Sequence, residues 1–104
     1  MSSPRVDTLL KMLESRPDDP RLRFGLALEY LTADRLEEGV RELRRYLDST
    51  EDEGNAWGRL GAALQEMGRD DEAREAYRKG VEQARRHGHP TMAQEFEEIL
   101  DAWD

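Results

Sequence analysis

The chain has 104 residues and a mass of 12.1 kDa, which is room for one ordinary domain and little for a second independent core. Charged residues (38%) nearly match the apolar set (37%), so order turns on how the apolar positions are spaced. A formal charge of −8 repels phosphate backbones and anionic lipid, and the lack of cysteine excludes disulfides, thiolate metal sites and thiol nucleophiles.

The start, Met1-Ser2-Ser3-Pro4-Arg5, has no apolar signal region, and no segment approaches the roughly 18 apolar residues of a membrane span. A soluble cytoplasmic protein without nucleic-acid or membrane partners is expected. Fourteen Arg against two Lys match the coding bias of a GC-rich bacterial genome.

Ser3-Pro4 offers an N-cap and a first helical residue, and Val6, Leu9, Leu10 and Leu13 follow on one face, so a first helix should run to about Ser15. Pro17 disfavours helix at Arg16, and Asp18-Asp19-Pro20 caps a second helix over roughly 20–32. Leu36, Val40, Leu43 and Leu47 mark a third, ending near Ser49 and closed by Glu51-Asp52-Glu53. Trp57, Leu60, Gly61 and Leu64 mark a fourth, with Gly68 ending it in left-handed geometry. Asp70-Asp71-Glu72 place negative charge on the positive end of a long fifth helix reaching about His87. After Gly88-His89-Pro90, Thr91 is expected to cap a sixth, with Met92, Phe96, Ile99, Leu100 and Trp103 as one apolar stripe. With no strand-like alternation of useful length, the class is all-α.

Self-comparison at an offset of 34 aligns Leu26 with Leu60, Arg35 with Arg69, Glu38 with Glu72 and Arg44 with Arg78, and small with small at Ala27/Gly61 and Gly39/Ala73. The second copy reads Trp57-x2-Leu60-Gly61-x2-Leu64, then Ala73-x3-Tyr77, and closely resembles the tetratricopeptide repeat (TPR). The first copy keeps the size pattern, Leu26-Ala27-x2-Tyr30 then Gly39-x3-Leu43. It departs by placing Arg23 where the aromatic stands and Tyr46 where the family prefers a small residue. The resemblance covers about residues 17–87. It implies a right-handed α-α superhelix of about six helices forming three layers. A single TPR-like domain over 1–104 is expected, with a flanking helix in 1–16, repeats at 20–53 and 54–87, and a capping helix in 90–104. Small residues Gly61 and Ala73 should admit the partner backbone while Trp57, Leu60, Leu64 and Tyr77 fill the gap; Trp57→Ala should then cost about 3–5 kcal/mol if the ring is buried.

A second stripe on helix two, Phe24, Leu28 and Leu31, is rotated by roughly 100° from the packing stripe. In TPR proteins the first helix of each pair lines a concave groove. The resemblance places Arg21, Phe24, Leu28 and Leu31 there, continued by Asn55, Arg59, Ala62 and Gln65. Gly58 and Ala62 would keep the floor low, so that a partner's apolar side chain settles beside Phe24 while Arg21 or Arg59 meets an acidic group. The alternative is that helix one or the terminal helix covers Phe24, Leu28 and Leu31. Family members that grip a terminal carboxylate carry Lys and Asn where Phe24 and Leu28 stand, which argues against that mode.

Other constellations carry less. Arg41, Arg44, Arg45, Arg74, Arg78 and Lys79 fit a solvated face laced by i,i+4 pairs such as Glu37 with Arg41, Asp70 with Arg74, Glu75 with Lys79 and Glu82 with Arg86. His87-x-His89 has metal-ligand residue types but no third ligand fixed nearby. Asp48, Thr50 and Asp52 fail as a calcium loop because Glu53 stands where glycine must turn the chain. No phosphate loop, nucleophile elbow or Ser/His/Asp arrangement is present. The expectation is an interaction module, not an enzyme, without metal or cofactor, binding a protein or peptide as a monomer or weak homodimer. The alternative is a self-associating module that buries Phe96 or Trp103 against a second copy.

Overall fold

A computed structural model describes residues 3–103. The expected flanking segments extend to Met1, Ser2 and Asp104, which lie outside the described residues. Among those described there are six helices and no strand: α1 (Pro4–Ser15), α2 (Pro20–Thr32), α3 (Leu36–Ser49), α4 (Asn55–Glu66), α5 (Asp70–Arg86) and α6 (Pro90–Ala102). They form two compact units, Met1–Thr50 and Glu51–Asp104.

In the first unit, Ser3 caps α1 by accepting from the Val6 amide, and Asp19 caps α2 by accepting from Arg21 and Leu22. Proline at the first position of each helix removes a donor that would lack a partner there. Val6, Leu13, Leu22, Leu26 and Tyr30 make the core, flanked by partly buried Leu9 and Met12. From α3, Val40 and Leu43 are buried as well. Ala27 is fully buried, and Gly39 receives a side chain from α2: a methyl group placed on it would meet the Leu31 Cδ2 atom and lie 3.5 Å from the Ala27 carbonyl oxygen.

In the second unit, Leu60, Leu64, Ala73, Ala76, Tyr77 and Ala84 are buried. Gly61 is close-packed as expected, but against a ring rather than a backbone: a methyl group there would stand 3.0 Å from Tyr77 Cδ2, Cε2 and Cζ. Trp57 is only half-buried, so truncating it removes less packing than a core indole would. Helix α6 docks through Phe96, whose ring occupies the space above Gly58 of α4 and Gly80 of α5.

Three corners share one geometry. Asp34, Gly68 and Gly88 adopt φ of 61°, 75° and 77°. The amides of Arg35, Arg69 and His89 then bond back to the carbonyls of Tyr30, Leu64 and Ala84. This is a Schellman motif, in which a left-handed residue lets the chain satisfy the last helical carbonyls. At the first corner the Arg35 guanidinium also lies 4.8 Å from the centre of the Tyr30 ring. Arg35 and Arg69 pair with Glu38 and Glu72 at 2.7 and 2.6 Å, so two of the identities in the 34-residue offset, Arg35/Arg69 and Glu38/Glu72, are corner clasps.

Two expectations need correction. Thr91 lies inside α6; His89 is its cap position and Pro90 opens it, because proline's fixed φ suits the first helical position. Asp52 serves the start of α4 rather than the end of α3, its buried carboxylate accepting from the Gly54 and Ala56 amides at 2.9 Å each.

Candidate functional site

Helix α2 carries apolar residues on more than one side. Its core face supplies Leu22, Leu26, Ala27 and Tyr30. Toward α1 it presents Gly25, against Leu9, and Glu29, paired with Arg5 at 3.1 Å. On the flank beside α3 lie Phe24, Leu28 and Leu31, all half-buried, with exposed Arg21 at the start of the stripe. Phe24 packs on Tyr46 of α3 with ring centroids 4.9 Å apart, and Leu31 fills the space over Gly39. Helix α3 thus covers part of Phe24 and Leu31, and a margin of each stays open to solvent.

In the second unit, Asn55, Arg59, Ala62 and Gln65 are exposed along one side of α4. The Tyr77 hydroxyl donates to Gln65 Oε1 at 3.4 Å, and burial pushes the Tyr77 phenol's pKa up. Gly58 is not a low floor: Phe96 fills it, so no partner side chain settles there. Phe96 is equally unavailable to a second copy. Trp103 is half-buried, edge-on to Tyr77 at 6.2 Å and 4.8 Å from the Arg74 guanidinium.

The offset relates these observations. Phe24 and Tyr46 of the first copy correspond to Gly58 and Gly80 of the second. Where the first copy brings its own two rings together, the second leaves a socket and fills it with Phe96 from α6.

Sequence reasoning missed a buried ion pair. Glu42 of α3 is 6% exposed and accepts from Arg23 Nη1 at 2.7 Å, with Arg45 at 3.4 Å. Arg23 also donates to the Pro17 carbonyl. The arginine that replaces the family's aromatic therefore holds α2 to α3 through a carboxylate instead of a ring. The spacing Arg23 to Glu42 matches Trp57 to Ala76 at the offset, a charge pair standing where the second copy has a large and a small residue. Beside it lies an open cavity of about 300 Å³ lined by Pro17, Asp18, Asp19, Pro20, Arg45 and Ser49 along with Arg23.

Basic residues of α5 make local pairs at i,i+3, Arg74 with Asp71 at 3.2 Å and Arg78 with Glu75 at 3.9 Å. Arg86 reaches Glu51 at 3.6 Å. His87 and His89 face Glu51 and Glu53, and no group of three or more metal-ligating side chains is found among the described residues. No helix among them is long and apolar enough to cross a membrane.

A sequence model of the tetratricopeptide repeat matches residues 1–84. TPR repeat-containing protein PA0015 of Pseudomonas aeruginosa is 32% identical over 99 residues, covering 95% of this chain and 94% of that protein. The solution structure of protein BPP2914 from Bordetella parapertussis is similar with a TM-score of 0.81 and 28% identity, over 98% of this chain and 88% of the other. A MamA AMB-1 structure matches with a TM-score of 0.69 over 93% of this chain and 61% of its own; at 20% identity this likeness concerns the fold alone.

Proposed function

The chain belongs to the tetratricopeptide repeat family, whose members generally serve as protein–protein interaction modules and are typically not enzymes, and from that premise we propose that it binds a peptide or helical segment of another protein. The apolar anchor is the Phe24, Leu28 and Leu31 stripe. Arg21 at its end favours an acidic neighbour on the partner, while Asn55, Arg59, Ala62 and Gln65 of the second unit offer a polar contact strip of their own. One observation carries this reading: α2 buries a complete core face and still keeps a second apolar stripe that α3 covers only in part. A solvated face has no use for Phe, Leu and Leu at that spacing.

A photo-crosslinking side chain placed at position 28, and separately at exposed Glu98 of α6, tests the reading in cells. The same protein should be captured from position 28 and lost when Arg21→Glu is added, with none captured from position 98. Equal capture from both positions would remove the stripe from the binding surface.

A further inference from the structure

The segment leading into α4 carries three consecutive acids, and each is engaged differently. Asp52 turns inward to the Gly54 and Ala56 amides. Glu53 Oε1 accepts from His89 Nε2 at 2.5 Å. Glu51 Oε1 stands 3.6 Å from both His87 Nε2 and Arg86 Nη1. The two glutamates, two positions apart, thus meet the chain's two histidines, also two positions apart, at the α5–α6 corner. The segment is pressed onto α5 and α6 at Gly54, whose φ is 124°. A methyl group there would lie 2.9 Å from Met92 Sδ and 3.1 Å from the Gly80 carbonyl oxygen.

The second rung is incomplete. His87 Nε2 is shielded from solvent and makes no hydrogen bond, although a carboxylate oxygen is 3.6 Å away. A neutral ring gains little at that distance, whereas an imidazolium gains an ion pair.

We propose that Glu51 and Glu53 with His87 and His89 form a two-rung, proton-operated clasp that fastens the segment before α4 to the α5–α6 corner and tightens when the imidazoles carry a proton. Arg86 shares Glu51 and supplies a standing positive charge, so the Glu51 rung loosens only partly at high pH. Glu95 lines the same shallow cavity as His89 and adds negative charge that favours the protonated ring. Neighbouring Arg85 is engaged by Glu97 at 2.6 Å. The acid limit comes from Glu53, whose carboxyl is held below the usual glutamate range, chiefly by the hydrogen bond from His89. A carboxyl depressed in this way lends stability above its unfolded pKa, and loses it as pH falls through the folded one. The clasp is therefore tightest in mildly acidic solution.

A double-mutant cycle on the full chain, with His89→Gln, Glu53→Gln and both together, tests this by chemical unfolding at pH 5.5 and pH 8.5. Coupling should change the unfolding equilibrium constant by roughly two- to fivefold at pH 5.5 and be clearly smaller at pH 8.5, where the neutral ring keeps a hydrogen bond but loses the ion pair. The His87→Gln/Glu51→Gln cycle should show the same trend with a smaller contrast, because Arg86 persists. As a second readout, the Glu53 carboxyl carbon should titrate higher in His89→Gln than in the wild type. Equal coupling at the two pH values, no coupling at pH 5.5, or an unmoved Glu53 titration would each overturn the clasp.

Discussion

Gly58→Ala tests how α6 is held. The added methyl group would lie 2.5 Å from Phe96 Cζ and 2.6 Å from Cε1, where ordinary contact begins near 3.4 Å. The ring cannot simply withdraw, because its Cδ2 and Cε2 atoms already stand 2.9 Å from where a Gly80 Cβ would be, and Tyr77 lies 5.8 Å away, centroid to centroid. Overpacking of this kind costs about 1–3 kcal/mol, and the gain in helix propensity from Gly to Ala offsets about 1 kcal/mol of it. The substitution should therefore destabilise the chain by about 1 kcal/mol, lowering the melting midpoint by roughly 4–8 °C. Phe96→Ala alone should cost about 3 kcal/mol. In that background the clash is gone, and Gly58→Ala should become stabilising by about 1 kcal/mol. Circular dichroism melts of the four chains give the comparison. If Gly58→Ala stabilises the wild type and the Phe96→Ala chain equally, the Phe96 socket is refuted.

Further outcomes follow from single contacts. Asp34→Gly should raise stability by about 0.5–1 kcal/mol because an exposed non-glycine residue holds φ of 61°, and Gly68→Ala should lower it by about 1 kcal/mol, although a Cβ there meets nothing within 4 Å; denaturant midpoints check both. Asp52→Ala removes a buried cap and should cost about 1–2 kcal/mol by the same measurement. Arg23→Ala leaves buried Glu42 with only the longer contact to Arg45 and should cost about 3 kcal/mol, whereas the double change Arg23→Trp/Glu42→Ala should recover most of it; a double change as damaging as the single one would contradict the pairing. Burial raises the Tyr77 pKa, so stability should decline as pH rises from the ordinary phenol range toward the folded value, and Tyr77→Phe should remove that decline.

The helices were legible because their signals are local. Ser3-Pro4, Asp19-Pro20 and Gly68 act within a few residues of where they stand, and the apolar spacing leaves one reading of each face. What escaped were relations between elements. Nothing near Gly58 says that a ring from α6, 38 residues on, will fill it; a glycine reads equally as an open floor and as a socket. Arg23 reads as a departure from an aromatic until Glu42, 19 residues away, is seen beneath it. Asp52 sits between two glutamates, and only the chain direction at Gly54 separates a buried cap from an exposed charge run. On α2 the sequence identified a second apolar stripe, and its degree of exposure depended on Tyr46 and Gly39 of the neighbouring helix.

The binding reading rests on solvent reaching the flank of α2, and methyl relaxation in the presence of a soluble paramagnetic agent measures that directly. Leu28 and Leu31 methyl groups should relax markedly faster on addition of the agent, while Leu26 and Leu43, both fully buried, should not respond. Four leucines responding alike would mean that the stripe belongs to the core and that α2 offers no surface to a partner.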